Sequence, residues 1–309
     1  MMLTGQELCL GALADVIAGD PRWLPHPVSA IGHWASWQER WWRRASLPLR
    51  WAGVGAWFTV VGAASGVVYL SLLWLPAPFI QIYWIYSFLA LRSLDQHAMA
   101  VIAALRAGHL MEARKAAGFM VGRDTATLEE PEVVRATIET VAENTSDGVI
   151  APLFWLLLGG PVAMAAYKAV NTLDSMFGYR NARYQEFGWW SARADDWANW
   201  LPARITAALF CLVAFVLPGM SGKRAIKATV LDARLQPSPN SGYPEAAAAG
   251  ALGVRLGGVN YYHGVRSEKA PLGEAVNPLK WRTYGGMRAL LYTSALAALV
   301  AAWGVLPWR

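Results

Sequence analysis

Charge is scarce in this sequence. Only 16% of its 309 residues are Asp, Glu, Lys or Arg, against about a quarter in soluble globular chains, which argues against an ordinary soluble domain. No charged residue occurs between Arg50 and Arg92. Cysteine is nearly absent as well. Cys9 and Cys211 both lie in apolar runs, so a disulfide or metal site is not expected and each is expected to be a buried free thiol. Walker A, GxGxxG and zinc-ligand spacings are missing, and Gly257-Gly258 alone is too little for a phosphate loop. ATP is not thereby excluded, because helix N-termini and isolated basic side chains also hold phosphates. There is no internal repeat and no low-complexity tract.

What is present fits a bilayer. Hydrophobic residues make up 55% of the chain, 17 residues are Trp and the net charge is +6. Indole rings favour the membrane–water interface. The positive charge is not arranged as a basic stripe with exposed aromatics, so nucleic acid is not expected; basic loops facing an anionic cytoplasmic leaflet account for it. The uncharged run after Arg50 is twice the roughly 20 residues of one span. Pro76-Ala77-Pro78 divides it into spans near 51–75 and 79–91. Ala289 to Trp308 is a further span, 201–220 is one if Arg204 snorkels at its polar end, and 3–18 is a weaker candidate carrying Glu7 and Asp15. Those two carboxylates and the lack of a basic first turn argue against a cleavable signal peptide. The positive-inside rule places the basic segments 19–50 and after Arg92 in the cytoplasm and the Pro-Ala-Pro turn outside.

Residues 92–147 read as a helical cytoplasmic insert within a single membrane domain, 1–309. Leu94, Ala98, Ile102 and Leu105 mark a first helix that Gly108 breaks, "HLMEARKAAGFM" a second, and Pro131 the start of a third. On the third, Glu132, Arg135, Glu139 and Glu143 share a face opposite Val134, Ile138 and Val141. For Glu132 and Arg135 the expected role is a solvated, ion-paired surface. Glu143 differs, because it ends the helix beside "ENTSDG".

The apolar run after Gly148 is broken by Gly159-Gly160-Pro161, so two half-helices are as plausible as one kinked span, and unwound backbone at that depth must be buried or line a polar cavity. Beyond it, Lys168, Asn171 and Ser175 share a helical face with Asp174 at its margin, a combination costly in a membrane and therefore expected at a site. Asp195-Asp196 lies between Arg193 and Arg204. Interfacial ion pairing and the holding of Mg²⁺ and phosphates are equally good readings. "LQPSPNSGYPE" is a proline-fixed loop presenting Ser238, Asn240 and Ser241. "GDPRWLPHPVSAIG" is similarly fixed and supplies Asp20, Arg22 and His26, the last expected to be structural.

These segments together resemble the CobD/CbiB adenosylcobinamide-phosphate synthases of cobalamin biosynthesis. The matches are "GDPRWLPHPVSAIG", "GRDT", "VAENTSDGVIAP", "YKAVNTLDSMFGYRN", "ARADDWANWLPAR" and "DARLQPSPNSGYPEAAAAGALG". They occur in family order over most of the chain. The resemblance implies an all-α, multi-pass protein of the cell inner membrane with about four to six spans. It implies an ATP- and Mg²⁺-dependent amide synthase, acting on the cytoplasmic side, that joins adenosylcobyric acid to aminopropanol phosphate or aminopropanol. An acyl phosphate is the natural intermediate. It further implies Asp147 and Asp174 as Mg²⁺ ligands and Glu143 as base. Lys168, Arg193 and Arg123 would offset phosphate charge, and Asn144, Asn171, Ser238 and Asn240 would bind corrinoid amides or phosphate. Ser146, Asp195, Asp196 and Arg204 complete the candidate substrate set, and a homo-oligomer is compatible with this reading.

Two other classes stay open: a distant resemblance to AmpE-type membrane proteins implies a sensing or signalling protein, and broken helices with intramembrane polar residues also occur in a corrinoid or small-solute transporter. The lack of corresponding interrupted segments in two halves weighs against transport. Span counting also meets a conflict. A full crossing by 148–170 separates "ENTSDG" from "NTLDS", whereas a re-entrant 148–170 with a full crossing by 201–220 separates "SPNSGYPE" from both. A second broken segment, or a structural role for some motifs, is therefore expected.

Overall fold

The computed structural model describes residues 3–21, 23–179, 181–262 and 264–307; Arg22 of the "GDPRWLPHP" motif lies outside them. The chain is helical nearly throughout. In order the helices are α1 (Gly5–Ala18), α2 (Pro27–Trp42), α3 (Leu49–Trp74), α4 (Ala77–Phe88), α5 (Leu91–Arg106), α6 (Leu110–Gly118), α7 (Glu130–Thr145), α8 (Ala151–Phe177), α9 (Trp189–Ala198), α10 (Trp200–Val213), α11 (Gly222–Asp232), α12 (Gly242–Leu252) and α13 (Tyr284–Val305). A single π-helical turn, Ser146–Ile150, joins α7 to α8. Strands β1 (Leu256–Tyr262) and β2 (Val265–Leu272) pair as an antiparallel hairpin before α13.

Four helical stretches among the described residues are long and apolar enough to cross a bilayer: Leu49–Trp74, Ala77–Arg106, Glu130–Phe177 and Trp281–Val305. The chain is therefore a multi-pass membrane protein. In α3 only 17% of the apolar window is buried, and Phe58, Val67, Leu70, Leu73 and Trp74 point outward. An apolar surface of that extent belongs in lipid. The shorter α10 is also apolar.

The helices pack as two compact units. The first comprises the described residues of Met1–Ala90, Ala151–Asn199 and Leu299–Arg309, the second Leu91–Ile150 and Trp200–Ala298. In the first, α3 packs on α2, α8 and α9, and α4 packs on α1 and α8. Thr4 and Glu7 form a capping box that starts α1, with the Thr4 amide 2.8 Å from the Glu7 carboxylate. In the second, α12 is enclosed by α7, α10, α11 and the hairpin, and α5 packs on α6 and α7. Ala246 to Ala249 are all fully buried, because a run of small side chains lets neighbouring helices approach closely.

The break in α8 falls at Gly159-Gly160-Pro161. Gly160 has φ +68° and ψ −164°, a conformation open to glycine, and Pro161 has no N–H to continue the ladder. Two half-helices result. Gly108 has φ +77° and ends α5, as its position predicts.

Two expectations need correction. Cys9 is exposed, whereas Cys211 is buried: Cys9 lies on α1, whose Leu10, Leu13 and Ile17 also face outward. Arg135 is buried rather than solvated. The face of α7 that carries it is covered by the hairpin, a feature that the helical periodicity did not reveal.

Candidate active site

The second unit holds a buried ionic cluster on α7. The Glu139 carboxylate accepts from the Arg123 guanidinium at 2.7 Å, from the Gly257 amide at 2.7 Å and from Arg135 at 3.3 Å. Arg123 also donates to the Asn260 side chain. Arg135 donates to the Gly257 carbonyl and, at 3.0 Å, to that of Val259. The hairpin is thus joined to α7 through its backbone. Gly257 is required there: its φ is +78° and a Cβ would come within 2.2 Å of the Ala270 carbonyl oxygen. Arg123, a candidate phosphate grip, takes part in this join.

One turn along α7 stands Glu143, half-buried. It faces Glu245 in the first turn of α12 and Lys269 on β2. Glu245 is wholly buried, and neither carboxylate oxygen has a hydrogen-bond partner among the described residues. Burial pushes its carboxyl up to about 8; Lys269 pulls the other way, while Glu143 and Glu139 add to the rise. Burial opposes the charge on Lys269, but the three carboxylates outweigh it and hold the ammonium above its ordinary value.

Asn144 and Asp147 are half-buried on the turns that follow, and Asp147 lies within the π-helical turn. Such turns recur at functional sites, because the extra residue re-aims its neighbours. The Asn144 amide donates to the Thr140 carbonyl at 2.9 Å. Ser146 is buried and its hydroxyl has no hydrogen-bond partner among the described residues.

At the start of α12 the Ser238 hydroxyl accepts from the Asn240 and Ser241 amides, both at 3.2 Å. Arg204 of α10 lies over the Trp200 and Tyr243 rings, at 4.2 and 4.1 Å from their centroids. It also donates to Asn240 at 3.4 Å. Arg204, Ser238 and Asn240 are therefore brought together, with Ser238 serving to shape the loop.

The first unit carries a separate polar cluster. Buried Asp195 on α9 accepts from Asn171 of α8 at 3.2 Å and from Asn199 at 3.0 Å, and Tyr167 donates to Asn199 at 2.8 Å. Lys168 is buried one residue along α8 and lines a cavity of about 560 Å³ with Asp20, His26 and Ser29. His26 caps α2 by accepting from the Val28 amide at 3.3 Å and lies 3.2 Å from Asp20, the structural role expected of it. Asp174 and Asp196 are half-buried, and Arg193 is exposed.

Among the described residues no three His, Cys, Asp or Glu side chains converge as a metal site. Asp147 and Asp174 belong to different units. Mg²⁺ keeps most of its waters and takes one or two carboxylates together with substrate phosphates, so single half-buried aspartates suit an ion that arrives with a nucleotide.

Glu245, Lys269, Glu139 and Asn260 were not among the sequence candidates. Glu139 was legible as part of the acidic face of α7. Lys269 and Asn260 depend on the hairpin, whose only sequence trace is alternation around Gly264 in "VNYYHGVRSEK".

Comparison with known proteins matches residues 8–291 to the model of one family, described as CobD/Cbib protein. "Cobalamin biosynthesis protein CobD" of Geobacter metallireducens is 48% identical over 98% of this chain and 97% of its own length. The protein of that name from Pelobacter propionicus is 46% identical over 95% and 92%. "Cobalamin biosynthesis protein CbiB" of Salmonella typhimurium is 42% identical over 95% and 96%. No solved structure matches.

Proposed function

The chain belongs to the CobD/CbiB family of cobalamin biosynthesis proteins, and from that premise we propose that it is an adenosylcobinamide-phosphate synthase. It joins the free carboxylate of adenosylcobyric acid through an amide to (R)-1-amino-2-propanol O-phosphate, or to aminopropanol, and it does so in the cell inner membrane with its chemistry on the cytoplasmic side. The observation that carries the reading is the "ENTSDG" stretch: Glu143 faces a buried carboxylate and a lysine, and Asp147 follows on a π-helical turn. An ordinary helix cap needs neither.

A carboxylate is a poor acyl donor and an ammonium a poor nucleophile. Bound ATP with Mg²⁺ would supply the activation of the first and the offset of phosphate charge; Glu143 deprotonates the second. Asp147 of the second unit and Asp174 of the first are each proposed, separately, as a carboxylate for a Mg²⁺ ion, and Lys168 as a buried cation for phosphate. Asn171 and Asp195, held against each other, present a fixed polar edge to substrate amides.

The test is incubation of purified protein in lipid with adenosylcobyric acid, aminopropanol phosphate and Mg-ATP. A new amide detected by mass spectrometry is the expected result. Uptake into sealed vesicles without covalent change would replace the synthase by a transporter.

A further inference from the structure

Two glutamates on the inner faces of α7 and α12 are treated very differently by the fold. Glu139 has three donors. Glu245 is equally inaccessible and has none for either oxygen among the described residues. An ionised carboxylate in that position is costly unless it holds a proton or faces compensating charge. The charged groups facing it are Glu143 and Glu139 of α7, Arg123 ahead of α7 and Lys269 of β2. Arg123 is engaged by Glu139. On the other neighbouring elements, Arg204 lies over Trp200 and Tyr243, and Arg224 donates to the Gly250 carbonyl. Lys227 pairs with Glu274, and Arg234 reaches the Tyr243 hydroxyl. Of the two described cations that act on Glu245, Arg123 is thus held by Glu139 and the ammonium of Lys269 faces Glu245 and Glu143.

We infer that Glu245 and Glu143 act as one acceptor: the doubly ionised pair takes a single proton from the amine substrate and shares it, Glu143 touching the amine and Glu245 acting behind it as a positioning residue. This rests on the amide-forming reading above. The amine arrives as an ammonium. It loses one proton to the ionised pair, its lone pair forms the C–N bond, and the C–O bond to the activating phosphate breaks. The phosphate leaves with the electron pair and takes the proton from the glutamates; the second N–H proton goes to water. A lone carboxylate is a weak base for an ammonium. Two carboxylates that repel each other hold a proton more tightly, so the pair is better matched to the task.

The experiment measures kcat/KM for the amine against pH, with the full chain in lipid. Glu245→Gln removes the repulsion, so the acidic limb should move to lower pH by about one unit or more. Lys269→Met removes the cation that favours the ionised pair and should move the limb to higher pH. Difference infrared spectroscopy should show a protonated-carboxyl band in the wild type that Glu245→Gln lacks. That signal needs no turnover. If no amide forms under any condition the synthase reading fails, and the band alone decides the shared proton. Limbs that overlay the wild type, limbs that move in the same direction, or a band that survives Glu245→Gln would each overturn the inference. Should Glu245→Gln fail to fold, the direction of the Lys269→Met shift decides it.

Discussion

The two units bury carboxylates by different means. In the first, Asp195 is held by the neutral amides of Asn171 and Asn199. In the second, Glu139 is held by two guanidinium groups and a backbone amide. Neutral amide donors can rearrange around a substitute. Guanidinium partners cancel the charge, yet become unpaired buried cations themselves if the carboxylate is lost. The second arrangement makes a fixed join between a helix and a hairpin.

Glu139→Ala should break the second unit most severely. It strands Arg123 and Arg135, and loss of one member of a buried ion pair costs about 3–5 kcal/mol. Little folded protein should be recovered by size-exclusion chromatography in detergent; a wild-type profile would show that the hairpin docks without the ionic join.

Asp147→Asn and Asp174→Asn test one aspartate from each unit and should leave folding largely intact. Each keeps side-chain size but removes the charge that a hard cation favours. Amide synthesis should fall by on the order of a hundredfold or more, the scale of one lost electrostatic contact in a transition state. Arg44→Gln, on an exposed stretch outside every matched motif, is the control. Wild-type turnover by both aspartate variants at saturating Mg-ATP would remove them from the metal site.

A smaller effect is expected from Asp195→Asn. Its amide can turn to re-form one of the two contacts, so the loss should be about 1–3 kcal/mol, read as a lowered thermal midpoint with the fold retained. A loss as large as that of Glu139→Ala would erase the distinction between the two clusters.

The last effect concerns pH. The folded Glu245 carboxyl, at about 8, lies above its ordinary 4.5. Its contribution to stability is therefore full below about 4.5 and lost as pH rises through about 8. Across that window the thermal midpoint should decline in the wild type and decline less in Glu245→Gln. Parallel slopes would show that Glu245 does not hold the proton.

Much of the fold was legible beforehand. The uncharged run from 51 to 91 and its Pro-Ala-Pro division became α3 and α4, Gly108 ended α5, and the glycine–proline break in α8 fell where expected. Each depends on local backbone preference or on total apolar length. The hairpin was not legible, because its strands are short and its alternation is weak. Without the hairpin, the acidic face of α7 read as a solvated surface.

By itself the sequence determined that the chain enters a membrane, where its helices break and which family its motifs join, since hydropathy, proline and glycine act within a few residues of themselves. Only the tertiary structure decided which polar side chains are partnered. Asn171 meets Asp195 across 24 positions, Arg123 meets Asn260 across 137 and Gly257 meets Glu139 across 118. A hydrogen bond or an ion pair depends on distance in space, and no spacing along the chain specifies contacts so remote. For the same reason Glu245, unremarkable at the head of an alanine-rich helix, became a buried carboxylate only when α7, α12 and the hairpin closed around it.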